Sequence, residues 1–404
     1  MPVILPANVK FIIDALYGAG FEAYAVGGCV RDRLLGAEPK DWDIATSATP
    51  AQVKEIFRRT VDTGIKHGTV TVLLERCAYE VTTYRVDGAY LDGRRPSEVT
   101  FASRIGDDLS RRDFTMNAIA YNGRDGFVDP FGGAEDIKNK IIRCVGEASQ
   151  RFNEDALRML RAVRFASQLG FEIEPQTLSA IQPLARKLAL ISAERIREEL
   201  TKLLLGARPQ ALCLFRVNLP IQYVLFGREY PGDMLEKAAQ IAACPKVTAL
   251  VYALFLLNYG AESVKILRDL RFDNKTAREI SEYIRLLPPR LENDSYAIKK
   301  NLRGLSADHF FKLLTLKEIL EPEKAAEFHA IRAAAEGILA RGECFSIRQL
   351  AVNGDDLIAA GIADGKAVGA ALESLLDRVL RDPSANTRAR LLTEIPRFAR
   401  NDGP

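Results

Sequence analysis

The hydrophobic pattern of this chain changes once, near residue 145, and that change limits the architectures open to it. Before it, stretches rich in β-branched and aromatic residues alternate with amphipathic ones. Residues 23–26 and 41–46 read as strands, with a helix over 30–35 between them. Thr49-Pro50-Ala51-Gln52 has capping-box spacing with proline at the first helical position, which predicts a helix to about Arg58. Residues 69–74 and 79–85 predict a strand pair turning near Arg76, and 118–121 with 126–129 a hairpin whose turn starts at Asn122-Gly123. Residues 86–97, rich in Gly, Asp and Arg, read as a loop. Beyond 145 the period is helical almost to the end, and 394–404 reads as loose. The expected fold class is α+β, a mixed-sheet head with flanking helices followed by an all-helical remainder. A chain of 404 residues exceeds one core. We expect a head over 1–140, a neck over 141–208, a body over 209–330 and a tail over 331–404.

Bulk properties exclude more than they identify. A net charge of +3 does not by itself mark a nucleic-acid binder. Six scattered cysteines without a CxxC pair, beside three histidines, form no zinc pattern and suit a reducing, cytoplasmic compartment. No signal-peptide pattern opens the chain, and the apolar run 249–257 is too short to span a bilayer.

Chemistry enters with Asp41-Trp42-Asp43. On a strand these two carboxylates share a face, and anions that close call for a cation between them. Aspartate is otherwise a poor strand residue. Gly27-Gly28, between a strand and a helix, offers free backbone N–H groups to a phosphate chain, with Arg31 one turn on. The plainer reading of Arg31 is a surface arginine. Together the motifs suggest metal-assisted nucleotidyl transfer, which uses two metals about 3.5–4 Å apart. Glu80 is the preferred third carboxylate, because its strand should lie beside that of Asp41; Glu75, at a turn, is the rival. In Arg111-Arg112-Asp113-Phe114-Thr115-Met116-Asn117, Asp113 and Asn117 are spaced as neighbours on a helix face. They form a candidate sugar-reading patch, with the arginines near phosphates.

These motifs, together with Thr63-Gly64-Ile65-Lys66-His67-Gly68-Thr69-Val70 and Asp129-Pro130-Phe131-Gly132-Gly133, follow one another in order. In this the chain resembles the bacterial class II tRNA nucleotidyltransferases, the CCA-adding enzymes of the polymerase-beta-like superfamily. The resemblance extends through Glu154-Asp155-Ala156-Leu157-Arg158, similar to the family's nucleotide-reading motif, and Ala193-Glu194-Arg195, similar to a helix-bracing one. It reaches the tail run 352–357 and Asn386. It implies CTP and ATP as substrates, tRNA as partner, Mg2+ as cofactor, and a polymerase-beta-like head before all-α neck, body and tail. It implies Asp41, Asp43 and Glu80 as catalytic residues, the first two holding metal. Gly28, Arg31, Arg112, Asp113, Asn117, Asp155, Arg158, Arg161 and Arg164 would contact nucleotide.

Residues 154–163 carry polar groups on one half of a helix, although Arg164 and Phe165 break the pattern. Taken alone, Asp155 and Arg158 would be a surface ion pair. As a base reader, the carboxylate accepts from the exocyclic amine of cytosine or adenine while the guanidinium donates to the ring nitrogen. Uracil and guanine offer the reverse polarity, so no template is needed. An intact segment over 85–96 favours complete CCA addition over CC-addition; A-addition and poly(A) tailing remain the alternatives, with a non-catalytic tRNA scaffold further off. His67 is read as ordering the backbone. Lys138, Lys140, Arg143 and Arg151, with Arg378, Arg381, Arg388 and Arg390 farther on, are candidate phosphate contacts.

Overall fold

The computed structural model describes residues 4–88, 99–217, 219–362 and 365–399. The chain divides into two compact units, Met1–Ala242 with Asn258–Ala277, and Ala243–Leu257 with Arg278–Pro404.

The first unit opens on helix α1 (Ala7–Gly18), which buries Val9, Ile12, Ile13 and Leu16 at the i, i+3, i+4, i+7 positions of one face. Its sheet joins β1 (Ala23–Val26), β2 (Asp43–Thr46), β3 (Thr60–Gly64), β4 (Thr69–Leu74), β5 (Cys77–Thr83), β8 (Ala120–Asn122) and β9 (Gly126–Val128) in the order β3-β4-β5-β2-β1-β8-β9. All four residues of central β1 are buried. The β2–β5 pairing is parallel; the other neighbours run antiparallel. A second ribbon pairs β6 (Arg85–Asp87) with β7 (Val99–Phe101). The helices of this region are α2 (Gly28–Leu34), α3 (Pro50–Ile56), α4 (Ile105–Ser110), α5 (Gly133–Asn139), α6 (Ala148–Glu154) and α7 (Leu157–Leu169).

Local chemistry explains these elements. The capping box at Thr49 and Gln52 forms, with Pro50 leading α3. Glu75 and Arg76 both take positive φ, 47° and 71°, the geometry of a two-residue hairpin loop between Leu74 and Cys77.

Several expectations need correction. The second strand starts at Asp43, not at residue 41, and Arg85 belongs to β6 rather than to the strand before it. The 86–97 loop is framed by a paired ribbon, and residues 89–98 lie outside the described residues. Strand β3, Thr-Val-Asp-Thr-Gly, was not expected; it is an edge strand with little apolar content. The segment from 394 is helical as far as Ala399, within the helix Arg388–Ala399.

The second unit is helical. Its helix Thr248–Leu256 is buried on every side from Ala249 to Leu256, which accounts for the apolar run there. No helix among the described residues is long and apolar enough to cross a membrane. One core cluster gathers Leu302, Phe310, Phe328 and Ile331, another Leu357, Leu375, Val379 and Leu391. Two buried lysines are satisfied: Lys299 by Glu343 at 2.7 Å, and Lys317 by the carbonyls of Leu287 and Pro289, each at 2.7 Å.

Helix α5 braces the segment that carries Asn117. Asp129 accepts from the N–H groups of Gly133 and Ala134 at 2.7 and 2.8 Å, and Asp136 accepts from the Thr115 hydroxyl at 2.6 Å. A Cβ on Gly133 would fall 2.1 Å from the Thr115 carbonyl oxygen, a backbone atom that cannot rotate away. Gly133→Ala should therefore lower stability by about 1–3 kcal/mol through overpacking. An unchanged midpoint in urea denaturation would refute this close approach.

Candidate active site

The parallel register sets Asp43 directly opposite Glu80, so the two side chains leave the same face of the sheet. Asp41 lies just outside β2, yet the alternation persists: Asp41 and Asp43 are exposed while Trp42 and Ile44 are buried. Glu75 sits at the far end of β5, in the hairpin loop, so register favours Glu80 as the neighbour of Asp43.

The Asp43 carboxyl titrates above the usual aspartate range. Desolvation is the main cause, since protein surrounds the carboxylate although the residue retains solvent contact; Arg112 opposes the shift, while Glu80 and Asp41 add to it. Among the described residues no three acidic, His or Cys side chains form a ready metal cage. The donors nonetheless fit a hard divalent cation, which often takes one or two carboxylates and completes its shell with water and substrate phosphate. A cation would also offset the smaller upward push that Glu80 and Asp41 add to Asp43.

Gly27, with φ 78°, turns the chain from β1 into α2. Its missing Cβ leaves room for Arg112, whose Nη1 would be 2.7 Å from such an atom. Arg112 and Arg111 both pair with the buried Asp108, at 3.1 and 2.6 Å. Burial pushes Asp108 up, but the two guanidinium groups hold it below its ordinary range. Asp108 was not singled out in the sequence, although its i+3 and i+4 arginines are a legible helix pattern.

Asp113 and Asn117 meet as expected, though not on a helix face. Helix α4 stops at Ser110, and Asn117 ends a 3-10 turn, Thr115–Asn117. Asn117 Nδ2 donates to Asp113 Oδ1 at 3.1 Å, which also accepts from the Phe114 N–H at 2.8 Å. Arg161 holds Asp113 Oδ2 at 2.7 Å, and Arg31 donates to Asn117 Oδ1 at 2.6 Å. Asp113 is almost fully buried; burial alone would raise it, yet Arg161 and Asn117 hold its carboxyl far below the usual carboxylate range.

The helix expected through 154–165 is broken at Asp155, which is extended (φ −139°) between α6 and α7. Asp155 and Arg158 therefore do not pair. Asp155 accepts from the Leu157 N–H at 3.0 Å and pairs with Arg195 at 2.7 Å. Arg158, nearly buried, pairs with Glu154 at 2.6 Å and donates to the carbonyls of Arg151 and Arg111. Arg164 lies under the surface on Glu199, at 2.5 Å, and Glu199 also reaches Arg161 at 3.5 Å. Burial lowers Arg164 to about 10, with Glu199 opposing. Removing one member of a buried pair like this costs about 3–5 kcal/mol. Arg195 and Glu199, one turn apart on the helix Ala193–Leu204, thus hold Asp155 and the Arg161–Arg164 pair together. Glu199 was missed in the sequence; its spacing from Arg195 was the available signal.

His67 offers its carbonyl to Arg85 and is itself exposed. Most of the outlying basic residues have acceptors within the chain: Lys138 on Glu135, Arg143 on Asp136 and Glu174, Arg151 on Glu154, Arg378 on Glu394, Arg381 on Asp377, Arg388 on Asp356 and Arg390 on Ser384.

Comparison with known proteins agrees with this geometry. The Poly A polymerase head domain matches residues 23–143, the family described as "Probable RNA and SrmB-binding site of polymerase A" matches 170–214, and that described as "tRNA nucleotidyltransferase domain 2 putative" matches 246–395. The CCA-adding enzyme of Limosilactobacillus fermentum is 37% identical over 396 residues, covering 96% of each chain. That of Enterococcus faecalis is 44% identical over 287 residues, 70% of this chain and 71% of its own. The crystal structure of the Bacillus stearothermophilus CCA-adding enzyme in complex with CTP superposes with a TM-score of 0.83 at 35% identity, covering 98% of this chain and 99% of that one. The family to which these enzymes belong uses divalent metal. This chain belongs to the CCA-adding enzymes, a family of tRNA nucleotidyltransferases.

Proposed function

We propose that this protein adds the 3′-terminal CCA sequence to tRNA without a nucleic-acid template, using CTP and then ATP and releasing pyrophosphate. The observation that carries the reading is the face of the sheet where Asp43 stands opposite Glu80 with Asp41 beside them, next to the Gly27-Gly28 turn. The four-part division into head, neck, body and tail is kept as the working division of labour, with the helical parts holding tRNA. A cytoplasmic location suits the six free cysteines.

Asp41 and Asp43 are assigned to the cation, which we take to be Mg2+ because every donor is a hard oxygen. When bound, it lowers the pKa of the attacking tRNA 3′-hydroxyl and neutralises charge on the triphosphate. Glu80 adds to the negative potential that attracts the cation. Gly28 lets the first turn of α2 approach the triphosphate, and Arg31 and Arg112 supply positive charge there. Asp113 and Asn117 meet the ribose. Asp113 has both oxygens engaged, so a sugar hydroxyl must share an oxygen that already accepts from Asn117 or Arg161.

Asp155 and Arg158 are assigned to the base, with Arg161 and Arg164 supporting that wall. Arg158 uses three donors on Glu154, Arg151 and Arg111. A guanidinium has five, which leaves donors for a ring nitrogen. Asp155 likewise keeps lone pairs for an exocyclic amine. Arg195 fixes that carboxylate, so its direction does not depend on substrate.

CTP and ATP offered separately to tRNAs lacking CCA, carrying the first cytidine, or carrying both cytidines should separate the activities. CTP should extend the first two and ATP only the third. Failure of CTP on every primer would replace the reading with A-addition. Asp43→Ala should abolish incorporation while tRNA binding persists in a filter assay; retained turnover counts against the metal assignment. Arg158→Ala should relax selection of CTP over UTP by about 1–3 kcal/mol, the worth of one bidentate base contact. Unchanged selectivity removes Arg158 from base reading.

A further inference from the structure

Phe165 interrupts the polar half of α7, and the residues around it explain why a ring is there. We infer that Phe165 is a positioning residue for sugar selection, the seat on which Arg31, Arg161 and Phe114, which donate to the side chains of Asp113 and Asn117, rest. The inference builds on the assignment of Asp113 and Asn117 to the ribose.

Besides the Asn117–Asp113 bond itself, three donors reach the side chains of that patch, Arg31 to Asn117, Arg161 to Asp113 and the Phe114 N–H to Asp113. Each of the three donor residues packs on the Phe165 ring. Arg31 Cζ lies 5.1 Å from the ring centroid and Arg161 Cζ 5.5 Å. The Phe114 ring meets it edge-on at 5.8 Å and 87°. Arg164 lies closest, at 3.6 Å. Phe165 itself is 4% exposed.

Three guanidinium groups gathered this closely repel one another. Glu199 neutralises Arg161 and Arg164, but no contact to Glu199 is made by Arg31, which pairs with Asp32 instead. The negative face of an aromatic ring attracts cations without taking their hydrogen bonds, so the donors stay free for Asn117 and Asp113. An edge-to-face ring pair is also directional, which fixes the Phe114 backbone beside Asp113. An aliphatic side chain would fill the same space and supply neither effect. Arg31 comes from the phosphate side and Arg161 from the neck helix, so the ring couples the two sides of the sugar.

The test compares kcat/KM for CTP and dCTP on a tRNA primer, with CTP against UTP as control. Ratios measured on one preparation cancel the folded fraction. Phe165→Leu and Phe165→Met should each lower the CTP:dCTP ratio about tenfold, the scale of lost cation–π contacts, and lower CTP:UTP by a much smaller factor, because Asp155 and Arg158 are held by Arg195 and Glu154 rather than by the ring. Phe165→Tyr, which keeps the face, should restore the ratio. Asp113→Asn serves as the reference arm. If it lowers CTP:dCTP while both faceless variants keep it, the Phe165 inference is overturned and the ribose reading stands. If Asp113→Asn leaves CTP:dCTP unchanged, the ribose reading fails and the inference with it. A parallel fall in both ratios in the Leu and Met variants would show general loosening and would also overturn it.

Discussion

Like-charge repulsion organises this protein. The sheet has one parallel pairing among antiparallel ones, and its register brings Asp43 beside Glu80 with Asp41 just ahead. Nothing in folding rewards three neighbouring carboxylates, and desolvation makes Asp43 less comfortable still. The surroundings are arranged to tolerate that cost. Gly27 gives up a side chain so that Arg112 can approach, and Asp108 is buried to hold Arg112 in place. Strain of this kind is what the proposed cation and triphosphate site would require.

Outward from that face, opposite charges alternate. Asn117 and Arg161 fix Asp113, Glu199 fixes Arg161 and Arg164, and Arg195 fixes Asp155. Asp113, Asp155, Arg158, Arg161 and Arg164 each have a partner within the protein, in contrast to the three carboxylates of the sheet face. A rigid ligand can then be read by directed donors and acceptors without reorganising the wall.

The sequence was most legible where chemistry leaves short signatures. The capping box at Thr49, the strand at 23–26, and the proximity of Asp113 to Asn117 and of Asp43 to Glu80 could all be read in advance. Asp113 and Asn117 came together for a different reason than helix periodicity, because a 3-10 turn with a side-chain hydrogen bond produces the same closeness as one α-helical turn. The break at Asp155 was not read, since neither Gly nor Pro marks it; its local trace is the aspartate whose carboxylate accepts from the Leu157 N–H at the start of α7, with Arg195 pairing from forty residues on. Strand β3 escaped because an edge strand needs little apolar content. Phe165 looked like an exception to a pattern and Glu199 was not singled out at all, and only long-range contacts turn them into parts of a network.

Helix α7 carries Arg158, Arg161, Arg164 and Phe165 on a single rigid element of 13 residues. Arg158, assigned to the base, and Arg161, which holds the Asp113 assigned to the sugar, therefore move as one body: a shift of the helix that retunes one subsite displaces the other. Independent adjustment of base preference has to come from changes off the helix, at Arg195, Glu154 or the carbonyls that Arg158 grips. Beyond the loss of Arg158 itself, altered-specificity variants sought by random mutagenesis should accordingly concentrate on the partners of α7.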